Sequence, residues 1–173
     1  MKPAGATGAA QADLATAVLD LLREVKDPEV PVIDVVELGI VRGVEVEGGR
    51  VTVRITPTYS GCPAMRVIER EVETTLHRHG YPDVVVKMVF SPPWTTDWMS
   101  EEAREKLRIY GIAPPGRADA PELVPLGAPP RLVACPYCGS SDTSRESEFG
   151  TTACKSIHVC RSCRQPFEHF KAI

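Results

Sequence analysis

Apolar residues at Leu14, Val18, Leu21, Leu22 and Val25 recur at the spacing of an amphipathic helix near the start of the chain. Pro28 and Pro31, in DPEVP, stop it. The runs IVRGVEV and RVTVRIT then flank a glycine pair, which predicts a β-hairpin. In the second run Val51, Val53 and Ile55 share one face, and Thr52 and Arg54 share the other. From Pro63 to His79, the residues Met65, Ile68, Val72 and Leu76 form one helical stripe, with Gly80 placed to cap its end. VVVKMVF reads as a third, more buried strand. Ser100, followed by Glu101 and Glu102, opens a last helix that ends near Gly111. The order α-β-β-α-β-α predicts a small α+β domain over residues 11–111, preceded by a disordered N-terminus over residues 1–10.

Beyond Gly111 the periodicity lapses. Six of the 16 prolines fall between Ile112 and Arg131, so residues 112–131 read as a semi-extended, Pro-rich linker. The alternative is an ordered arm in which Leu123, Val124 and Leu126 pack across a domain. Composition is that of a globular chain: 173 residues, 43% hydrophobic and 25% charged. The net charge of -3 does not suit a nucleic-acid or anionic-lipid surface. No apolar run approaches the roughly 18 residues of a membrane span. The N-terminus has no compact apolar block of a secretory signal, so the expected location is cytoplasmic.

The cysteines divide the chain into two chemistries. Cys62 stands alone, while the other five of the six crowd into the last 39 residues. Cys135-x2-Cys138 and Cys160-x2-Cys163 each let a tight turn direct two sulfurs at one ion, and together they complete a tetrahedral four-thiolate site. Soft thiolates in that array favour Zn2+, or a single iron, over magnesium or calcium. A segment of about 40 residues with few large apolar side chains needs such a staple to fold. Residues 132–173 therefore read as a metal-bound, zinc-ribbon-like domain, with a thiol-redox pair as the alternative. Cys154 or His158 could replace one of the four ligands, but a set closed after four leaves Cys154 as a small buried residue. From Leu132 onward, five basic residues face four acidic ones without a basic, aromatic-interleaved stripe, which favours a protein-facing role.

Cys62 lies in TPTYSGCPAM, directly before the second predicted helix. Gly61 permits an unusual backbone angle and Pro63 suits the first helical position. Cys62 is thus expected at the N-cap, where the helix dipole lowers a thiol's pKa; a small buried apolar cap is the alternative. Thr58 could hydrogen-bond the sulfur or its bound group. Asp27, Glu29, Asp34 and Glu37 are the acidic candidates, and Glu37, set among apolar residues before Gly39, suits either a metal carboxylate or an exposed turn. His77 and His79 read as partners of a helix dipole, and Trp94 and Trp98 as the cover of a core edge or a recognition surface. No Ser-His-Asp or Cys-His-Asp order is evident, and no His or Lys stands out as an activator of Cys62, which argues against an enzyme.

DPEVPVIDVVELGIVR followed by TPTYSGCPAM resembles the small iron–sulfur assembly factors related to SufT, over about Leu14 to Gly111. The tail CPYCG…FGTTACK…CRSCRQPFEHFK resembles the C-terminal module of the PaaD family, encoded with the bacterial phenylacetyl-CoA ring epoxidase. The resemblance implies a compact α+β assembly-factor fold and a non-catalytic accessory role in aerobic phenylacetate degradation. It also implies help in maturing an iron or iron–sulfur centre. The implied partners are the other subunits of that epoxidase, a di-iron oxygenase component or a reductase carrying flavin and a 2Fe–2S centre. By position the family's loop cysteine falls on Cys62, its threonine on Thr58 and its acidic residue on Glu37, a set that would handle iron or a cluster transiently. The expected function is thus that of a maturation factor, with Zn2+ structural at Cys135, Cys138, Cys160 and Cys163. A purely structural or docking subunit of the oxygenase is the alternative, and a thiol enzyme the third reading.

Overall fold

A computed structural model describes residues 8–116 and 132–173, and the chain divides between Trp94 and Thr95 into two compact units. The N-terminal unit holds helix α1 (Gly8–Leu22), strands β1 (Val41–Glu47) and β2 (Arg50–Ile55), helix α2 (Ala64–Arg78) and strand β3 (Asp83–Met88). β2 is the central strand, antiparallel to β1 and parallel to β3. A parallel neighbour requires a crossover, and α2 supplies it.

Local chemistry accounts for most of these boundaries. Between the paired Glu47 and Arg50, Gly48 and Gly49 adopt φ values of 58° and 88°. Two successive left-handed residues define the type I′ hairpin turn, which glycine enters without a Cβ clash. α2 ends in a Schellman motif: the N–H of Tyr81 donates to Leu76 O and that of Gly80 to His77 O, both at 3.0 Å. Gly80 takes the left-handed position at φ 88°. Met65, Ile68, Val72 and Leu76 of α2 are buried as the stripe predicts, and so are Val51, Val53 and Ile55 of β2. Trp94 is buried too, donating from Nε1 to Leu38 O at 3.1 Å, so it covers a core edge.

Four expectations change. α1 begins at Gly8, inside the stretch read as disordered, while residues 1–7 lie outside the described residues. Leu14, counted on the apolar stripe of α1, is 43% exposed. β3 is an edge strand whose Val84, Val85 and Val86 are only half-buried, and Phe90 beyond it is 67% exposed. A valine run suits a strand covered on both faces, but in a three-stranded sheet this one has a neighbour on one side. Arg78 reaches Glu24 at 2.7 Å and His79 Nε2 lies 2.9 Å from the same carboxylate, so a specific ion pair and a side-chain hydrogen bond at this helix end add to any dipole interaction.

The C-terminal unit begins with a 3-10 turn (Thr96–Trp98) and helix α3 (Glu101–Tyr110). Strands β4 (Ile112–Ala113), β5 (Thr143–Ser147), β6 (Lys155–Cys160) and β7 (Pro166–Phe170) form a sheet in the order β4-β7-β6-β5. As predicted, Ser100 caps α3, its Oγ accepting from Ala103 N–H at 3.0 Å, and Gly111 ends it at φ 93°. The helix nevertheless belongs to the C-terminal unit. Directly after it, Ile112 and Ala113 are buried and pair in parallel with Glu168 and His169 of β7, so the segment read as linker starts as a strand. That pairing joins residues more than 50 positions apart and leaves no local trace. Residues 117–131, with Leu123, Val124 and Leu126, lie outside the described residues. Among the described residues no helix is long and apolar enough to cross a membrane.

Candidate functional site

The four cysteines of the paired CxxC motifs converge. Their sulfurs all lie within 4.8 Å of one another, with Cys135 3.7 Å from Cys163 and Cys138 3.6 Å from Cys160. Tetrahedral zinc–sulfur bonds of about 2.3 Å set sulfurs about 3.8 Å apart, so the donor set fits a tetrahedral thiophilic ion. Two matching turns build it. Cys135 O accepts from Gly139 N–H at 2.9 Å in one, and the N–H of Cys163 approaches Cys160 Sγ at 3.5 Å in the other. The residue after each second cysteine is left-handed, Gly139 at φ 75° and Arg164 at φ 61°. Glycine does this freely, whereas arginine holds a strained backbone there.

The electrostatics of the four thiols suit a bound cation. The Cys163 N–H is foremost in drawing the Cys160 thiol down to about 7. The Gln165 N–H favours the Cys163 thiolate, yet burial and the neighbouring sulfurs push that thiol up to about 12. Four sulfurs so close cannot all ionise together without a positive ion among them. Cys135, Cys160, Phe167 and Ala113 form one buried cluster, so the same sulfurs anchor the small core.

Cys154 and His158 lie outside this group. Cys154 is buried, its sulfur 3.1 Å from Thr152 Oγ1. His158 Nε2 pairs with Ser156 Oγ at 3.0 Å and its ring stacks on Phe167. The segment between the two knuckles is held by a buried ion pair, Lys155 Nζ to Glu168 Oε2 at 2.8 Å.

Cys62 sits elsewhere, in the N-terminal unit. A four-residue turn closed by Cys62 N–H to Tyr59 O at 3.2 Å, with Gly61 at φ 86° in its third position, carries the chain into α2. The N-cap is Pro63, so Cys62 stands one residue before it. The expected drop in thiol pKa is reversed. Burial raises it, and the charges of Glu29 and Asp27 add to the rise, against hydrogen bonds from Ala64 N–H and the Tyr59 side chain. One amide at the edge of a dipole that fades within a turn does not offset desolvation beside two carboxylates.

The acidic candidates thus separate. Asp27 and Glu29 lie within electrostatic reach of Cys62. Glu37 is buried, not exposed on a turn, and locks its own loop: its Oε2 accepts from Asp34 N–H at 3.3 Å and its N–H donates to Asp34 Oδ1 at 2.8 Å. Asp34 in turn meets Lys26 at 3.5 Å. Thr58 is half-buried in the Cys62 loop, and two positions earlier the buried Thr56 hydroxyl has no hydrogen-bond partner. Tyr59 is a neighbour that the motif alone does not single out; its place three residues before the cysteine is the available signal.

Residues 15–87 match the family described as iron-sulfur cluster assembly protein, and residues 119–171 match the PaaD zinc beta ribbon domain. The chain is 44% identical, over 88% of its length and 90% of the relative's, to a protein of Escherichia coli (strain K12) named as a subunit of a "Putative 1,2-phenylacetyl-CoA epoxidase". It is 39% identical to an Fe-S protein maturation auxiliary factor of Porphyromonas gingivalis (strain ATCC BAA-308 / W83), over 52% of this chain and 87% of that one. The crystal structure of a domain of unknown function from Bacillus anthracis superimposes with a TM-score of 0.57 at 28% identity, over 60% of this chain and 99% of that one. An assembly-type α+β unit followed by a four-cysteine ribbon is thus matched along almost its whole length, and the chain belongs to the PaaD family of phenylacetyl-CoA epoxidase subunits.

Proposed function

We propose that the chain is an accessory maturation factor of the phenylacetyl-CoA epoxidase system. It works in the cytoplasm, handling iron or an iron–sulfur cluster as transient cargo at Cys62 for another subunit. The observation that carries this reading is the contrast between two thiol sites. Cys135, Cys138, Cys160 and Cys163 form a closed set, suited to a resident Zn2+ that staples the ribbon. Cys62 is a half-buried thiol beside the charges of Asp27 and Glu29, in a loop with Thr58. An incomplete set of this kind leaves ligand positions for a client to fill. A cation arriving there would lower the raised thiol pKa, so ionisation and cargo binding are linked. Glu37, whose carboxylate accepts from the Asp34 N–H, would serve as a further ligand only on releasing that bond. The raised pKa also counts against Cys62 as a nucleophile at neutral pH.

The test is metal and acid-labile sulfide content of protein purified without oxygen, for wild type and Cys62→Ala, with the client's iron content measured after co-production. One zinc in both proteins is expected, with iron lost from the variant and from its client. Normal client iron with Cys62→Ala would refute the maturation role and favour a docking subunit.

A further inference from the structure

We propose that β3 is a self-pairing edge: two copies of the chain join antiparallel about Val85, and their three-stranded sheets become one continuous sheet. The proposal is independent of the maturation reading. β3 packs against β2 and α2, and among the described residues no strand lies on its other side. The N–H of Val89 donates to Ile55 O at 2.8 Å, and residues along a parallel ladder turn their backbone groups to alternate sides. Val85 and Lys87 therefore face β2, while Val84, Val86 and Met88 present N–H and C=O outwards. The opposite edge is blunted: β1 carries a register shift between Val41 and Gly43 and the charges of Arg42, Glu45 and Glu47. β3 has no such break. Its register runs evenly from Asp83 to Met88, with three successive valines between Asp83 and Lys87.

Charge spacing selects both the partner and the register. On the outer face Asp83, Val85 and Lys87 stand beside Arg50, Thr52 and Arg54 of β2. Asp83 holds Arg50 at 2.9 Å, and Arg54 is held by Glu45. Lys87 has the like-charged Arg54 as its in-register neighbour, and among the described residues no carboxylate meets it. Antiparallel pairing about Val85 sets Asp83 of each copy opposite Lys87 of the other, and Val85 opposite Val85. These are non-hydrogen-bonded positions, where side chains approach more closely and opposite charges stabilise the pair. Moving the axis to Val84 or Val86 would set each charge opposite Tyr81, Val85 or Val89 instead. A second copy thus supplies both signs at the spacing the edge requires. On the core face Val84 and Val86 are only half-buried, although their register partners Val51 and Val53 are fully buried. The same pairing places Val84 of one copy beside Val86 of the other, where they exchange N–H···O=C bonds and shield that open side from water.

The experiment is sedimentation velocity of the full chain over a dilution series, with hydrogen exchange of the β3 amides followed at each concentration. Wild type is expected to pass from monomer to dimer as concentration rises. The Val84 and Val86 amides should slow in step, while the Val85 amide, bonded to β2, is slow throughout. Lys87→Asp removes no ion pair of the folded chain and should weaken the dimer at least about tenfold, because it sets like charges opposite each other at two symmetry-related positions. Asp83→Lys should do the same. An equimolar mixture of these two variants restores opposite signs at both positions and should dimerise within about threefold of wild type. A monomer at every concentration overturns the proposal. So does a dimer that both variants keep, or protection of the Val84 and Val86 amides that only the other epoxidase subunits produce. Cys62→Ala should dimerise like wild type, so loss of the maturation reading would leave this result standing.

Discussion

Lys155→Ala tests what holds the ribbon apart from its metal. Lys155 is 3% exposed, and its ammonium lies 2.8 Å from Glu168 Oε2, while Glu168 Oε1 accepts from Thr151 N–H at 2.8 Å. Burial works to raise the Glu168 carboxyl, but Lys155 and the bonds from Thr151 outweigh it and hold it below the usual carboxylate range. Removing one partner of a fully buried pair costs about 3–5 kcal/mol. The Glu168 side chain keeps 23% exposure and its Thr151 bond, so the stranded carboxylate is partly solvated. That places the cost at about 2–3 kcal/mol. The assay is hydrogen exchange of β6 and β7 amides at neutral pH, where this loss means opening roughly 30- to 150-fold more often. Amides of β1 and β2 serve as the internal control. Because the folded pKa of Glu168 is depressed, the stabilisation is present above its unfolded value near 4.5 and is lost as pH falls through the folded one. Lys155→Ala should lose the part of that acid dependence that Lys155 supplies, the Thr151 bonds keeping the rest. Lys155→Met/Glu168→Leu should recover most of the loss, since no charge is left buried without a partner. Wild-type exchange in Lys155→Ala, or a double variant no better than the single one, would refute the reasoning.

Three further outcomes follow from the geometry. Ile68→Ala, at the fully buried centre of α2, should cost about 3 kcal/mol, read as faster exchange of β2 amides. Gly139→Ala should destabilise the metal knuckle by about 1 kcal/mol, while Arg164→Gly should be neutral or stabilising, measured as the temperature at which metal passes to a chromogenic chelator. Asp27→Asn/Glu29→Gln should lower the Cys62 pKa and speed its alkylation near pH 8, where a thiol with a raised pKa is largely protonated. Rates against pH at the Cys62 peptide give the shift, and an unchanged profile would show that the two carboxylates do not control the thiol.

The elements and their ends were legible because their causes are local. The Gly48-Gly49 turn, the Gly80 and Gly111 caps, the Ser100 cap and the Met65-Ile68-Val72-Leu76 stripe each depend on residues within a few positions of one another. Paired CxxC spacing announced the ribbon for the same reason: each knuckle is a single tight turn. Tertiary structure decided what depends on distant neighbours. It assigned α3 to the C-terminal unit, paired Ile112 and Ala113 with β7, and left β3 at a sheet edge. It also raised the Cys62 pKa, because Asp27 and Glu29 come from a loop more than 30 residues earlier, and it turned Glu37 towards Asp34. Chain neighbours set backbone angles and hydrogen-bonded turns, whereas burial, strand partners and the charges around a thiol are sums over residues that only folding brings together.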